Sequence, residues 1–468
     1  MSAMERQSLD GNGLAARAEV GLVETDLIVV GAGAKAAAIA TKVHVLNSLG
    51  LGPVTLTILE AVEPAASWSG RNGMTSGEEP LAIPPIKDVG FPYQSFQQFG
   101  DAGETIDRAM LAFSWQQYLI GERGYARWVN AGSPAVQHRD YGRYLAWVLA
   151  HATEGISHVR ARVTQISLHP RTGRWIVEVA GASGQQRYSC DALTLTGPGV
   201  HRMLPHEAEI APRIFHCDSR RNEFARIPAE DSSEIAIVGG GESALSCVAF
   251  LRAFRPKARL TIYTTGLPMS RGESFLENRV FSNPDEVDWG ALDLQTRRDF
   301  VKHCDRGVFD PRTLASLAYD ESCRFVLGRV AHVAAAGSDG GVALEYLSAA
   351  GHVGVRHDYV VNCTGFDLLE QLRALFPTPV RSEIERRVGA LWDLPPGVEL
   401  PIGRFLELEG MRPRLHIPGL AALSQGPGFA NLGSLGLLAN RVLQPLFLED
   451  GELGDSIGTC TATTTEVP

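Results

Sequence analysis

A glycine-rich turn near the N-terminus has the residue types and spacing to bind the diphosphate of a dinucleotide. The apolar run at residues 27–30 leads into Gly31, Gly33 and Ala36, and an alanine-rich, helix-favouring segment follows. Gly31 permits a tight turn, Gly33 lets the backbone approach the phosphates at the helix N-terminus, and Ala36 replaces a third glycine. Glu60 ends the next apolar run, 24 residues after Ala36, where a carboxylate can bind an adenosine ribose.

The same pattern recurs at residues 234–244 with the sequence EIAIVGGGESA. Here Gly239, Gly241 and Ser243 are the candidate contacts of a second dinucleotide. The next strand ends in two threonines in place of an acidic residue, and Arg271 follows. A missing acid and a nearby cation favour a 2′-phosphate, and therefore NADPH over NADH. Arg271 is equally compatible with a solvated loop position.

Two strands that end in Thr-Gly, at 191–197 and 358–366, alternate with these turns, and the second supplies Gly365 as a cofactor contact. The alternation predicts an α/β fold with two Rossmann-like dinucleotide-binding domains, the second inserted into the first, plus a small substrate-binding region. The predicted segments are a flexible extension at 1–24, the FAD domain at 25–230, the NADPH domain with substrate-contacting loops at 231–350, the returning FAD segment with the substrate region at 351–448, and a flexible tail at 449–468.

The composition narrows the class of protein. The 468 residues suffice for two or three domains, and 44% hydrophobic with 21% charged residues is typical of a soluble globular protein. A formal net charge of −10 argues against binding nucleic acid or an anionic membrane, and no apolar run could span a membrane. The seven cysteines contain no CxxC pair, which predicts a reducing cytoplasm, no redox-active disulfide, no compact zinc site and no bound metal.

Two dinucleotide sites in one chain imply FAD at the first turn and NADPH at the second, with the flavin passing electrons to a further acceptor. A disulfide acceptor would need paired cysteines. A Baeyer–Villiger oxygenase carries a linker with Gly, His and Trp-Pro, and residues 213–224 offer His216 without a tryptophan. Oxygen as the acceptor, with an amine as the substrate, remains.

Longer motifs occur along most of the chain. They are GAGAKA at 31–36, KDVGFPY at 87–93, FSWQQYL at 113–119, RGESFLENRVFS at 271–282, DRGVF at 305–309 and QGPGFANLGSLGLL at 425–438. With these motifs the chain resembles the flavin-dependent N-hydroxylating monooxygenases of siderophore biosynthesis, most of all the L-lysine N6-monooxygenases of the mycobactin and nocobactin type. The resemblance extends over nearly all of residues 25–445.

The resemblance implies that Lys87, Asn278 and Asp305 bind the substrate. Lys87 matches the family's lysine for the substrate α-carboxylate, and a charge-assisted hydrogen bond suits that role. Asn278 matches an asparagine that holds the substrate backbone near the nicotinamide. The family has Asn-Tyr where this chain has Asp305 and Arg306, so the partner of the α-amino group stays open, and Asp305 is able to pair with an ammonium.

The resemblance also implies cofactor contacts from Trp68, in the flavin loop, and from Asn431, in the last motif. Two positions depart from the family pattern: Ser69 stands where many relatives have histidine, and Ala82 replaces a glutamine that contacts the flavin. The contact of that glutamine must therefore come from another residue.

The implied reaction is hydroxylation of the terminal N6 amine of L-lysine, or of a lysyl siderophore precursor, by NADPH and O₂. A flavin C4a-hydroperoxide passes its oxygen to the neutral amine, without a catalytic side chain. Ornithine or another diamine, which differs by one or a few methylenes, stays open as the substrate. An uncoupled NADPH oxidase or an assembly partner is the alternative of another class. We also expect a homo-oligomer, tetramer or dimer, as in the family.

Overall fold

The computed structural model describes residues 21–447, except 73, 183, 220–222, 229–231, 318, 338–339 and 396. The tail predicted at 449–468 and most of the extension predicted at 1–24 lie outside these residues. The first strand begins at Leu22, three residues before the predicted start of the FAD domain. The reason is that Leu22, Val23 and Glu24 continue its parallel pairing with a later strand.

The strands are numbered along the chain. They are β1 (Leu22–Val30), β2 (Leu56–Glu60), β3 (Ile156–Leu168), β4 (Trp175–Gly181), β5 (Gly184–Leu195), β6 (Val200–His201), β7 (Ile214–His216), β8 (Glu234–Val238), β9 (Arg259–Thr264), β10 (Cys323–Leu327), β11 (Arg329–Ala336), β12 (Gly341–Ser348), β13 (Gly351–His357), β14 (Tyr359–Asn362), β15 (Phe366–Asp367) and β16 (Arg414–His416).

The α-helices are numbered in the same way. They are α1 (Ala34–Ser48), α2 (Phe96–Phe99), α3 (Gly103–Met110), α4 (Trp115–Gly121), α5 (Tyr125–Asn130), α6 (His138–His151), α7 (Glu242–Phe254), α8 (Phe275–Ser282), α9 (Leu294–Cys304), α10 (Pro311–Ser316), α11 (Leu368–Leu375), α12 (Thr378–Val388), α13 (Ala422–Gln425) and α14 (Leu435–Phe447).

The first sheet carries the first glycine turn. Strand β1 lies between β2 and β5 and is parallel to both. The first part of β3 continues the parallel sheet beside β2, and its second part forms an antiparallel meander with β4 and β5. Strand β16, from the C-terminal part of the chain, pairs in parallel with β5. The chain therefore returns to complete its first domain, as an inserted second domain requires.

The second sheet carries the second glycine turn. Its five strands run parallel in the order β10, β9, β8, β14 and β7. Strands β11, β12 and β13 form a separate antiparallel sheet, and parts of it pack on the second sheet through Val333, Val342 and Leu344. The short strands β6 and β15 pair with each other between the two domains.

The boundary predicted at residue 350 needs a correction. Strands β13 and β14 follow that boundary, yet β14 pairs with β8 and β7 of the second sheet. Strand β7, at Ile214–His216, precedes the predicted start at 231 and also belongs to the second sheet. The sequence of an apolar strand that ends in Thr-Gly fits either domain, because a strand's own residues do not determine which strands pair with it.

Helix α1 is the buried element around which the first domain packs. All of its residues from Ala36 to Val43 are buried, and it contacts α6 and α14. Its alanine side chains permit the close approach of these neighbours. Among the described residues, no helix is long and apolar enough to cross a membrane.

Candidate active site

The first glycine turn has a backbone conformation that only glycine adopts without strain. Gly31 has φ +96°, and its N–H donates to the Leu59 carbonyl at 2.8 Å. A Cβ atom at Gly31 would lie 2.5 Å from Thr196 Oγ1, the residue that follows β5. Both the left-handed backbone and this clash exclude a side chain there. The turn therefore joins the ends of β1, β2 and β5 tightly.

The N-terminus of α1 is suited to a bound diphosphate. Gly33 is the N-cap residue, no side chain caps the helix, and its first turn contains no acidic residue. A Cβ atom at Gly33 would meet no protein atom within 4 Å, so the space beside this backbone is open. Ala36 is completely buried beneath this turn. Uncapped N–H groups and the helix dipole favour an anion at this place.

Glu60 lies directly against the first glycine turn. Its carboxylate accepts hydrogen bonds from the Ala32 N–H and the Val62 N–H, both at 2.8 Å. These bonds hold the carboxylate at the end of β2, next to the turn. Each carboxylate oxygen can accept a further hydrogen bond, so the side chain fits the ribose role predicted for it.

Trp68 lies in a loop that covers the same turn. The Ala65 N–H in this loop donates to the Ala32 carbonyl at 2.9 Å. The Trp68 ring packs edge-on against His138, with ring centroids 5.0 Å apart, and against Tyr141 at 5.6 Å. The structure thus places Trp68 with the first turn, and its contact with a flavin stays a prediction.

The second glycine turn repeats the geometry of the first. Gly239 has φ +149°, and a Cβ atom there would lie 2.4 Å from the Cys363 carbonyl oxygen. Gly241 is the N-cap residue of α7, again without a side-chain cap. Ser243 lines a cavity of about 170 Å³ between the two domains, together with Ala82 and others. Strand β8, the glycine turn and helix α7 therefore have the geometry that suits a second dinucleotide.

An acidic residue within the first turn of the helix distinguishes the second glycine turn from the first. Glu242 is the first residue of α7, and burial raises its pKa to about 7. The Arg271 guanidinium lies 3.0 Å from this carboxylate and also pairs with Glu273. Arg271 further donates to the Ala82 carbonyl at 2.8 Å, and Asp310 is 3.8 Å away. The cation predicted to bind a 2′-phosphate is thus held among acidic neighbours at the domain junction.

Lys87 and Asn278, predicted as substrate contacts, touch each other across 191 residues of sequence. The Lys87 Nζ donates to Asn278 Oδ1 at 3.1 Å and to Ser282 Oγ at 3.2 Å. It also lies 5.5 Å from the centroid of the Phe91 ring. Burial lowers the pKa of Lys87, and the Arg271 guanidinium lowers it further. Among the described residues, no carboxylate oxygen lies within 4.0 Å of this cation.

Asp305 and Asn431, predicted as a substrate and a cofactor contact, also meet. The Asn431 side-chain amide donates to the Asp305 carboxylate at 2.9 Å, and Arg306 forms an ion pair with it at 2.9 Å. These contacts involve neither Lys87 nor Asn278. Its role toward an α-amino group stays a prediction.

Gly365 occupies the connection between the domains. It has φ +96°, and a Cβ atom there would meet nothing within 4 Å. Its carbonyl accepts a hydrogen bond from the Arg202 N–H at 3.1 Å, beside the β6–β15 pair. Gly365 is distant from both glycine turns in the sequence, and in the structure it lies beside the β6–β15 pair that connects the two domains.

Two residues of the site were missed by the sequence analysis. Ser282 is the second partner of Lys87, and its position at the end of the RGESFLENRVFS motif could have pointed to it. Lys35 lies in the first turn of α1 and donates to the Ala430 carbonyl at 2.9 Å and the Thr196 carbonyl at 3.4 Å. Burial lowers the pKa of Lys35 to about 8, with Arg306 as the next cause. The signal that could have pointed to Lys35 is the presence of a lysine within the alanine-rich GAGAKA motif.

Comparisons with known proteins agree with this architecture. Residues 105–367 match the family model described as L-lysine 6-monooxygenase/L-ornithine 5-monooxygenase. The L-lysine N6-monooxygenase MbtG of Mycobacterium tuberculosis is 34% identical over 424 residues, covering 89% of this chain and 94% of MbtG. The chain belongs to this family. Membership confirms the predicted enzyme class, a flavin-dependent N-hydroxylating monooxygenase.

Solved structures of the family share the fold. The lysine monooxygenase NbtG from Nocardia farcinica matches with a TM-score of 0.76 at 34% identity, over 89% of this chain and 99% of NbtG. The ornithine hydroxylase PvdA from Pseudomonas aeruginosa matches with a TM-score of 0.70 at 19% identity, over 91% of this chain and 99% of PvdA. These matches confirm the predicted α/β fold with an FAD and an NADPH domain.

Proposed function

We propose that this protein hydroxylates the terminal N6 amine of L-lysine, free or built into a hydroxamate siderophore precursor, with FAD, NADPH and O₂. The observation that carries the proposal is the Lys87 Nζ, which is half-buried at the domain junction and held by Asn278 and Ser282. A cation with neutral partners in such a place suits the α-carboxylate of an amino acid. The names of MbtG and NbtG, both lysine monooxygenases at 34% identity, support lysine as that amino acid.

The residues of the two glycine turns would hold the cofactors. Gly31, Gly33 and Glu60 form the cradle for FAD, and Gly239 and Gly241 form the cradle for NADPH. Bound there, the two cofactors supply hydride transfer and the activation of O₂. The protein positions the cofactors and the substrate, excludes water from the site and supplies the charges around the amine. The proposed preference for NADPH over NADH rests on the absence of an acidic residue at the end of β9.

Lys87 would bind the substrate carboxylate, with Asn278 beside it. Burial disfavours the charged form of Lys87, and an arriving carboxylate would stabilise that form again. A hydrogen bond between charged groups contributes about 1.5 to 3 kcal/mol. Asn278 holds Lys87 through its Oδ1 and is itself held by its amide N–H bond to the Glu273 carbonyl at 2.8 Å. The pair is therefore positioned before the substrate arrives.

Only the neutral form of the substrate amine can attack an electrophilic oxygen. A lysine ε-amine has a pKa of about 10.4, and removing its proton at neutral pH costs roughly 5 kcal/mol. A site from which water is excluded offsets part of this cost because it disfavours the ammonium. We therefore expect the oxygen-transfer rate to increase with pH toward about 8 to 9.

We further propose a cytoplasmic location and a homo-oligomeric state, dimer or tetramer. The six described cysteines are thiols, which supports a reducing compartment. Sedimentation of the FAD-loaded protein tests the oligomeric state: a monomer at micromolar concentration would contradict it.

The experiment that tests the proposed function measures hydroxylamine product per NADPH consumed. FAD-loaded protein receives lysine, ornithine or cadaverine separately, and the products are identified by mass spectrometry. We expect a ratio near one with lysine and much lower ratios with the other two amines. NADPH oxidation that yields only hydrogen peroxide with every amine would overturn the proposal and leave an uncoupled oxidase.

A further inference from the structure

Three side chains with metal-binding atoms come together beside the candidate substrate residues. Glu277 on α8, and His303 and Cys304 at the end of α9, each offer one ligand atom, and these atoms all lie within 4.8 Å of one another. The His303 Nε2 is 2.7 Å from Glu277 Oε1. Glu277 Oε2 accepts the Ser274 N–H at 2.7 Å, so the capping of α8 uses one carboxylate oxygen and Oε1 faces the cluster.

The chemistry of this set is specific for borderline transition metals. Imidazole, thiolate and carboxylate are the ligands that Zn²⁺ prefers, whereas Mg²⁺ and Ca²⁺ prefer oxygen ligands alone. A thiolate and a carboxylate together offset the charge of a divalent ion, and a neutral histidine completes three protein ligands. The His303 side chain is half exposed, which gives an ion a path from solvent.

The cluster is connected to the substrate site through the backbone. Asn278 follows Glu277 on α8, and Asp305 follows Cys304 at the end of α9. Asn278 and Ser282, on the same helix as Glu277, hold the Lys87 Nζ. A movement of α8 relative to α9 therefore moves the partners of Lys87.

An ion in this cluster would require its ligand atoms to move apart. Zinc bonds of about 2.0 Å to nitrogen and oxygen separate two tetrahedral ligands by roughly 3.3 Å. The His303 and Glu277 atoms are 2.7 Å apart and must separate to admit the ion. If a movement of α8 supplies this separation of roughly 0.6 Å, Asn278 and Ser282 move with it, and a displacement of the groups that position a substrate weakens its binding.

We propose that Glu277, His303 and Cys304 form a binding site for a divalent ion of the zinc type, and that the bound ion weakens substrate binding at Lys87 and Asn278. The second half of this proposal rests on the proposed function. The sequence predicted no metal because its cysteines form no CxxC pair; here a single cysteine combines with a histidine and a glutamate from another helix.

Cobalt absorption tests the site directly. Co²⁺ added to FAD-loaded protein should produce ligand-field bands at longer wavelengths than the flavin absorbs, and Zn²⁺ should displace them. His303→Gln, which keeps a hydrogen-bond donor for Glu277, and Cys304→Ser should weaken Co²⁺ binding at least tenfold. His151→Ala and Cys323→Ser, in α6 and β10, are matched controls and should bind like the wild type. Equal binding by all four variants, or none by the wild type, overturns the site.

Steady-state kinetics test the coupling. Zn²⁺ at saturation should raise the KM for lysine at least threefold in the wild type and leave it unchanged in His303→Gln, with the rate of flavin reduction by NADPH unaffected. An unchanged KM in the wild type overturns the coupling. If no amine is hydroxylated at all, the proposed function fails, but the Co²⁺ spectra of wild type and variants still decide whether the metal site exists.

Discussion

The two glycine turns share a backbone geometry but differ in the charges around them. At the first turn, α1 begins with Ala34 and Lys35 and has no acidic residue in its first turn. At the second, α7 begins with Glu242, whose carboxylate is neighboured by Arg271 and Asp310. Both turns therefore have a carboxylate nearby, Glu60 at the first and Glu242 at the second, but only the second has it within the first turn of the helix.

We propose that this difference corresponds to two modes of cofactor binding. A helix whose own first turn contains no acidic residue favours a diphosphate at its N-terminus, which suits a cofactor that stays bound. Glu242 has its pKa raised to about 7 by burial, so a diphosphate at the second turn meets a partly ionised carboxylate. That arrangement suits a cofactor that binds and leaves in each catalytic cycle.

The largest effect should come from breaking the first turn. Gly31→Val introduces a Cβ atom 2.5 Å from Thr196 Oγ1 at a position with φ +96°, and we expect the variant to lose FAD completely. The ratio of flavin to protein absorbance after gel filtration measures this. Gly50→Val is the control, because Gly50 also has a positive φ, +72°, but its Cβ would meet nothing within 4 Å. A Gly31→Val protein that retains FAD would show that the first turn is not the flavin cradle.

The next effect concerns the carboxylate at the second turn. Glu242→Gln removes the charge and keeps the side-chain shape. We expect the KM for NADPH at pH 8 to fall about fivefold, which corresponds to about 1 kcal/mol for one charge at a helix N-terminus. FAD retention should not change. A KM equal to that of the wild type would mean that Glu242 does not face the bound nicotinamide cofactor.

The smallest effect is the pH dependence of the wild type. Glu242 loses its proton as pH rises through its folded pKa of about 7. The KM for NADPH should therefore increase roughly threefold between pH 6 and pH 8, since part of the carboxylate is already ionised at the lower pH. FAD retention should stay constant over this range. Glu242→Gln should remove the pH dependence, and a persistent increase in that variant would assign it to another group.

The glycine turns and the family were predictable from sequence because their signals are local. Gly31 and Glu60 belong to one strand-turn-helix-strand unit, and the structure brings them together as their spacing requires. The limits of the second domain were not predictable in the same way. Strand β14 joins β7 and β8 through pairings between distant segments, and its own sequence fits either sheet.

The site itself depends on contacts between distant segments. Only the resemblance linked Lys87 to Asn278, because no local pattern marks two residues that meet at a domain junction. The surroundings of Arg271 also depend on contacts that its local sequence does not indicate. Its position after β9 suggested a free cation, but Glu242 and the Ala82 carbonyl come from two distant segments to contact it, and Glu273 contacts it from two residues along the chain.

The most direct test of the central claim is the effect of Lys87→Ala on two substrates that share an aminopentyl chain. Lysine has an α-carboxylate and cadaverine has none. We expect the variant to raise the KM for lysine at least tenfold, to leave the KM for cadaverine within twofold of wild type, and to leave flavin reduction by NADPH unchanged. Lys257→Ala, at an exposed lysine, is the control. Equal effects on both substrates, or none on lysine, would contradict the assignment of Lys87 to the carboxylate of an amino-acid substrate.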